Sequence, residues 1–196
     1  LIDAAQLGSP FELALGEAFA TLAPAVRAAH RAGPVTRMRG IAEVRRATTP
    51  LAVFIAALFG MPRAEAPVEV KVVKRLGPDK EVWTRHFAGT RMESRLRVVA
   101  PGIVSESFGP FTFDMKVAAE NGALAMRVVG WRIGPLRLPS WLAPRSVATE
   151  SQDSEGRFRF DVPIALPLIG RLTHYSGWLA LEEVEPTPAP TQREGA

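Results

Sequence analysis

Residues 124–151 read LAMRVVGWRIGPLRLPSWLAPRSVATES. The first ten, rich in Val, Met and Trp, suit a long strand that stops at Gly134-Pro135, where proline removes a backbone donor and glycine admits unusual dihedrals. The segment 136–144 is too proline-dense for a long helix. It reads as a corner with at most one helical turn, capped by Ser140 and stapled into the core by Leu138, Trp141 and Leu142. Extended structure resumes at 146–151.

Working outward, the same alternation continues on both sides. Asn121-Gly122 is a two-residue hairpin signal that joins the long strand to a preceding one with Phe111, Phe113, Met115 and Val117 on one face. Further upstream, Val68, Val70 and Val72 alternate with Glu69 and Lys71. Trp83, Arg85 and Phe87 share a face, and Met92, Ser94, Leu96 and Val98 alternate with charged residues. Downstream, Phe158, Phe160 and Val162 face inward, and 171–181 closes the series. Segment 35–46 is a further strand, with Gly40 marking a bulge or bend. About ten strands divided by turn signals form an antiparallel meander rather than a βαβ pattern. A sheet of that length curls. The expected fold is therefore mainly β (α+β), a half-open or closed barrel with helices at its N-terminus.

Those helices come from residues 11–32, where Ser9-Pro10 supplies a start, Pro24 breaks the pattern into a second piece at 25–31, and Gly33-Pro34 ends it. Residues 51–61, LAVFIAALFGM, form the most apolar run. This run falls far short of the roughly 20 residues that span a bilayer. It reads as a buried helix on the concave side of the sheet, an interfacial helix flanked by Arg45, Arg46 and Arg63, or a lid over a cavity. The expected organisation is a helical segment at 1–33, a barrel-like domain at 34–185 and a disordered tail at 186–196, where PTPAPTQREGA has nothing to pack.

Composition excludes several classes. Twenty-four basic and 20 acidic residues give a formal charge of +4, but no compact basic block alternates with aromatics, so nucleic acid is not expected as a partner. The absence of cysteine rules out disulfides, thiolate metal sites and thiol catalysis, and suits a cytoplasmic chain. No transmembrane segment is expected. Glu12 and Glu17 interrupt what would be the apolar part of a signal peptide, and the opening at Leu1 suits a piece of something longer.

No phosphate-binding glycine loop and no GxSxG elbow occurs. His30, His86 and His174 are too scattered for a metal site, and neither a metal nor another cofactor is expected. Candidate polar residues gather on strands near the corner: Glu106, Arg132, Arg145, Glu150, His174 and Tyr175. Period two puts His174 and Tyr175 on opposite faces, so only one can point inward. Arg145 could pair with Glu150 or grip an anionic headgroup, and the structural alternative is an ion-pair network of Arg132, Arg145 and Glu150 that clamps the corner. Trp83, Trp131, Trp141 and Trp178 read as core. Trp83, Trp131 and Trp178, with Phe54, would equally line an apolar pocket.

The stretches GWRIGPLRLPSWLAPRSVATES and GRFRFDVPIALPLIGRLTHYSGWL, with VWTRHFAGTRMESR and ESFGPFTFDM upstream, resemble the DUF4166 family of bacterial domains over roughly 25–181. The PSWLAPR corner and the final LPLIGRLTHYSGWL pair are its most specific parts. The resemblance implies no activity and transfers no catalytic residue. It does imply a place in longer chains, some with a neighbouring nucleotide-binding, oxidoreductase-like domain.

Three functional readings follow. The leading one is a non-enzymatic module that holds a hydrophobic or amphipathic, lipid-like molecule inside the curled sheet. The second is an enzyme or enzyme accessory domain that uses Arg145, Glu150 and His174. The third is a structural or interaction module with an exposed apolar patch that includes Phe54 and Phe59.

Overall fold

The computed structural model describes residues 8–58, 61 and 67–182. Two short helices open the chain, α1 (Pro10–Leu15) and α2 (Pro24–His30), with a 3₁₀ turn at Gly16–Thr21 between them. The Ser9-Pro10 start is a full capping box: the Glu12 amide donates to Ser9 Oγ at 3.2 Å and the Ser9 amide to Glu12 Oε2 at 2.8 Å. Glu12 Oε2 also accepts from the Ala32 amide at 2.8 Å, which ties the two helices into one unit. The first helix is shorter than the alternation of Ala and Leu suggests, because Gly16 takes a positive φ of 54° and ends it before Pro24 is reached.

The remaining elements are β1 (Val35–Arg46), α3 (Pro50–Leu58), β2 (Val68–Leu76), β3 (Glu81–Phe87), β4 (Thr90–Ala100), β5 (Ile103–Phe108), β6 (Phe111–Glu120), β7 (Ala123–Ile133), β8 (Leu136–Arg137), β9 (Val147–Gln152), β10 (Phe158–Leu166) and β11 (Gly170–Leu181). Apart from the two-residue β8, which only extends the tip of β7, every strand pairs antiparallel on both sides. The order runs β1 to β7, then β9, β10 and β11, and β1 pairs with β11. The sheet is thus a closed ten-stranded barrel and exposes no long edge.

Closure depends on a close approach between β1 and β11. A Cβ added at Gly40 would sit 1.9 Å from the Trp178 carbonyl oxygen, and one at Gly177 would sit 2.1 Å from that of Ile41. Gly40 is therefore not a bulge, since β1 keeps its register on both sides; it is half of a glycine pair that lets two backbones touch.

Alternation decides what faces inward. Along β1, Met38, Gly40, Ala42 and Val44 are buried while Arg37, Arg39, Glu43 and Arg45 are exposed. The N-terminal unit plugs one end: Phe11, Val26, Ala29 and His30 are fully buried there, and α1 and α2 pack on β4, β5, β6, β9 and β10. The other end is the mouth. Its corner turns by a 3₁₀ segment at Ser140–Leu142, but the Ser140 side chain does not cap it, and Trp141 is exposed rather than in the core. The corner is anchored through its backbone instead, with Trp131 Nε1 donating to the Pro139 carbonyl at 3.0 Å and Arg145 exchanging backbone hydrogen bonds with Ala165. Trp141 is thereby free to point away.

Helix α3 lies at the mouth against β11. Only Ala52 of it is buried, while Leu51, Phe54 and Leu58 are exposed. Phe59 and the tail at 186–196 lie outside the described residues.

Candidate functional site: the barrel interior

The inward positions of the strands enclose a cavity of about 160 Å³. Its wall runs from Phe11 and Phe158 at the plugged end to Pro144, Leu166 and Met61 at the mouth. The chain contains five methionines, and all five, Met38, Met61, Met92, Met115 and Met126, line this space. Methionine side chains are long, unbranched and polarizable, so a wall built from them can reshape around a guest.

Set into this apolar wall are two polar groups. The first occupies the floor. Lys74 Nζ, at the inward position that follows Val70 and Val72, donates to the Ala29 carbonyl at 2.8 Å, stands 3.3 Å from His30 Nδ1, and lies 3.8 Å over the Trp83 ring. His30 Nε2 is hydrogen-bonded to the Glu150 carboxylate. Burial and the neighbouring Lys74 ammonium hold the His30 pKa below its usual value, so the ring is neutral. Its Nδ1 then accepts from Lys74 and its Nε2–H donates to Glu150. Burial alone would raise Glu150, but its electrostatic and hydrogen-bond contact with His30, and after that the charges of Lys74 and Arg85, outweigh it and hold its pKa below the usual carboxylate value. Trp83 Nε1 donates to Glu81 at 2.8 Å and completes the floor.

The second group crosses three adjacent strands. Arg85 on β3 donates to Ser94 Oγ on β4 at 2.8 Å and to Glu106 on β5 at 3.0 Å, and Ser94 Oγ donates to Glu106 at 2.6 Å. Its guanidinium also stacks 4.6 Å over Trp83. Tyr175 faces the same space from β11, its ring against Phe87 and Phe160. Burial raises its pKa to about 12, so the hydroxyl keeps its proton. That hydroxyl has no hydrogen-bond partner among the described residues.

The structure divides the candidates expected from the sequence. Glu150, Tyr175, Trp83 and Glu106 face the interior. His174 points outward and pairs with Asp161, as the alternation on β11 requires once Tyr175 is inside. Arg132 is bound to Asp114 and Ser105 on the outer face, and Arg145 is exposed at the corner. The expected network of Arg132, Arg145 and Glu150 therefore does not form, because Glu150 faces the interior, where His30 meets it, while both arginines lie outside. A cleft shared by Arg145, Glu150 and His174 does not form either. Trp131 stacks on Phe113 at the mouth, Trp178 lies half-buried under Arg157, and Phe54 is exposed on α3.

The family model of DUF4166, a domain of unknown function, matches residues 22–179, from just before α2 to near the end of β11. The chain belongs to the DUF4166 family. No curated protein matches it. In this DUF4166 chain, interior polar residues absent from the candidates expected from the sequence include Lys74, Arg85, Ser94, Glu81 and His30. Lys74, Arg85 and Ser94 each sit at an inward position of an alternating strand, so the alternation alone could have found them. His30 follows Val26 and Ala29 at helical spacing, which marks the buried face of α2.

Proposed function

We propose that the barrel is a non-enzymatic binding module for a hydrophobic or amphipathic, lipid-like molecule held in its interior. One observation carries this reading: a cavity with a wall of Phe, Val and Met that also presents a protonated tyrosine hydroxyl with no hydrogen-bond partner among the described residues. At about 160 Å³ the space is close to the apolar cavities of about 150 Å³ that accept a benzene-sized guest. A ring or a stretch of acyl chain fits without rearrangement, and the methionine wall lets a longer body enter. The polar floor is satisfied by its own hydrogen bonds, so Tyr175 is the group that would donate to a carbonyl or hydroxyl on the guest.

The test uses N-phenylnaphthylamine as a fluorescent probe, displaced by a long-chain fatty alcohol, with native mass spectrometry of the purified chain. A blue-shifted emission that the alcohol reverses, and that Met126→Trp abolishes by filling the cavity, is expected. Tyr175→Phe should weaken displacement by the alcohol but leave the probe's own binding unchanged. Absence of probe binding together with absence of any adduct mass refutes the proposal.

A further inference from the structure

We propose that the mouth of the barrel docks on the surface of an anionic lipid bilayer. Six large apolar side chains are between 57% and 95% exposed at this one end: Leu51, Phe54 and Leu58 on α3, Leu136 and Trp141 on the corner, and Leu168 in the β10–β11 turn. At the plugged end only Leu13 is comparably exposed among the described residues. Leu168 is the sharpest case. It is 95% exposed and has a φ of 65°, a left-handed conformation that disfavours a branched side chain. A leucine held at a turn tip against both solvation and backbone preference points to a surface that covers it.

The charge around this rim identifies the surface. The described turn segments at the mouth carry Arg137 and Arg145, with Arg46 and Arg171 on the adjoining strand ends, and the carboxylates near that end, Glu69 and Glu93, are matched by Lys71 and by Arg91 and Arg95. Arg137, Arg145 and Arg171 are exposed and have no ion-pair partner among the described residues. Turns at the plugged end mix signs instead, with Asp79 beside Lys80, and Asp153 and Glu155 paired to Arg157. Tryptophan, leucine and phenylalanine ringed by unpaired arginines suit the boundary between acyl chains and anionic headgroups. The barrel wall cannot enter the bilayer itself, since its outward positions include Arg37, Arg39, Glu43, Glu69, Lys71, Arg95 and Arg97. Contact is therefore end-on, and the rim meets the cavity wall at Pro144 and Leu166, so a lipid-facing mouth opens into the interior.

Docking requires no guest in the cavity, so vesicle binding is measured separately from probe binding. The experiment is flotation of the full chain with phosphatidylcholine vesicles made with and without phosphatidylglycerol, at low and high salt. The expected result is association that requires phosphatidylglycerol and falls with salt, with tryptophan emission quenched by brominated acyl chains and that quenching lost in Trp141→Phe. The triple variant Arg137→Gln, Arg145→Gln, Arg171→Gln should weaken binding by about five-fold per arginine, on the order of 100-fold in all. Leu168→Ser should lower it on the order of ten-fold with unchanged thermal stability, because the site is solvent-exposed. Failure to float at low salt, indifference to phosphatidylglycerol, or full binding by these variants overturns the proposal. Self-association abolished by Leu168→Ser, without vesicle binding, overturns it in favour of a second copy of the chain.

Discussion

Lys74 makes the stability of this barrel rise with alkaline pH, against the usual trend. Its ammonium is fully buried among the Ala29 carbonyl, His30 Nδ1 and the Trp83 ring, and burial lowers its pKa from 10.5 to about 8. A lysine with a depressed native pKa binds its proton more weakly when folded, so the charged form costs stability below pH 8 and that cost is relieved between 8 and 10.5. The gap between those values is about 2.5 pH units, and at about 1.4 kcal/mol each the full gain is about 3 kcal/mol. By pH 9.5 roughly 2 kcal/mol of it is realised, which is about 4–8 °C in melting temperature for a chain of this size. His30 is already neutral in this window. Tyr175, raised to about 12, opposes the gain only above about pH 10, where the unfolded phenol ionises. Urea unfolding at intervals from pH 7 to 9.5 should show the rise in the wild type, and subtraction of the Lys74→Met curve should isolate it. If Lys74→Met does not fold, ¹³C NMR of the lysine Cε in the wild type gives the same answer, with one resonance titrating near pH 8. A flat wild-type curve, or a lysine set that titrates uniformly above pH 10, refutes the reasoning.

Two further substitutions test the barrel's seam and its inner wall. Gly40→Ala places a methyl 1.9 Å from the Trp178 carbonyl oxygen and should cost at least about 4 kcal/mol or prevent folding; wild-type stability in urea would show that β1 and β11 do not touch there. Glu106→Leu strands the largely buried Arg85 and should cost about 3 kcal/mol, whereas the double variant Arg85→Met, Glu106→Leu should recover most of it. A loss in the double variant equal to the sum of the losses in Arg85→Met and Glu106→Leu alone would mean that the pair is not coupled.

The architecture was legible because the alternation of apolar and polar residues runs through nearly every strand, and because Asn121-Gly122 and the other turn signals divide it at regular intervals. Closure follows from length, since so long an antiparallel sheet leaves two costly edges unless they meet. The glycine contact that permits closure was not legible: Gly40 and Gly177 are 137 positions apart, and only the register of β1 against β11 brings each under a facing carbonyl. The site was half legible. Alternation correctly put His174 and Tyr175 on opposite faces but could not say which was inside. Pairings among Glu150, His30 and Lys74 join α2, β2 and β9, three elements far apart in sequence, so no local pattern encodes them. The corner misled for a different reason. Trp141 is the kind of residue that usually staples a turn, and here backbone bonds hold the turn and leave the tryptophan outside.

The two ends of the barrel therefore differ in what they allow. At the plugged end, Lys74, His30 and Glu150 form one continuous set of hydrogen bonds between helix and wall. To open that end would expose Phe11, Val26 and Ala29 to water and would leave a buried carboxylate and ammonium unsatisfied, a cost of several kcal/mol. At the mouth the wall ends in Pro144, Leu166 and Met61, none of which forms a side-chain hydrogen bond, and α3 rests on β11 through a few small residues such as Ala52. Movement there breaks only weak apolar contacts. Any traffic between the interior and the outside must then pass the mouth, where the unpaired arginines and exposed aromatic and aliphatic side chains lie. A guest that entered from that side would travel apolar end first past the methionines, and its polar end would come to rest near the hydroxyl of Tyr175 rather than against the saturated floor.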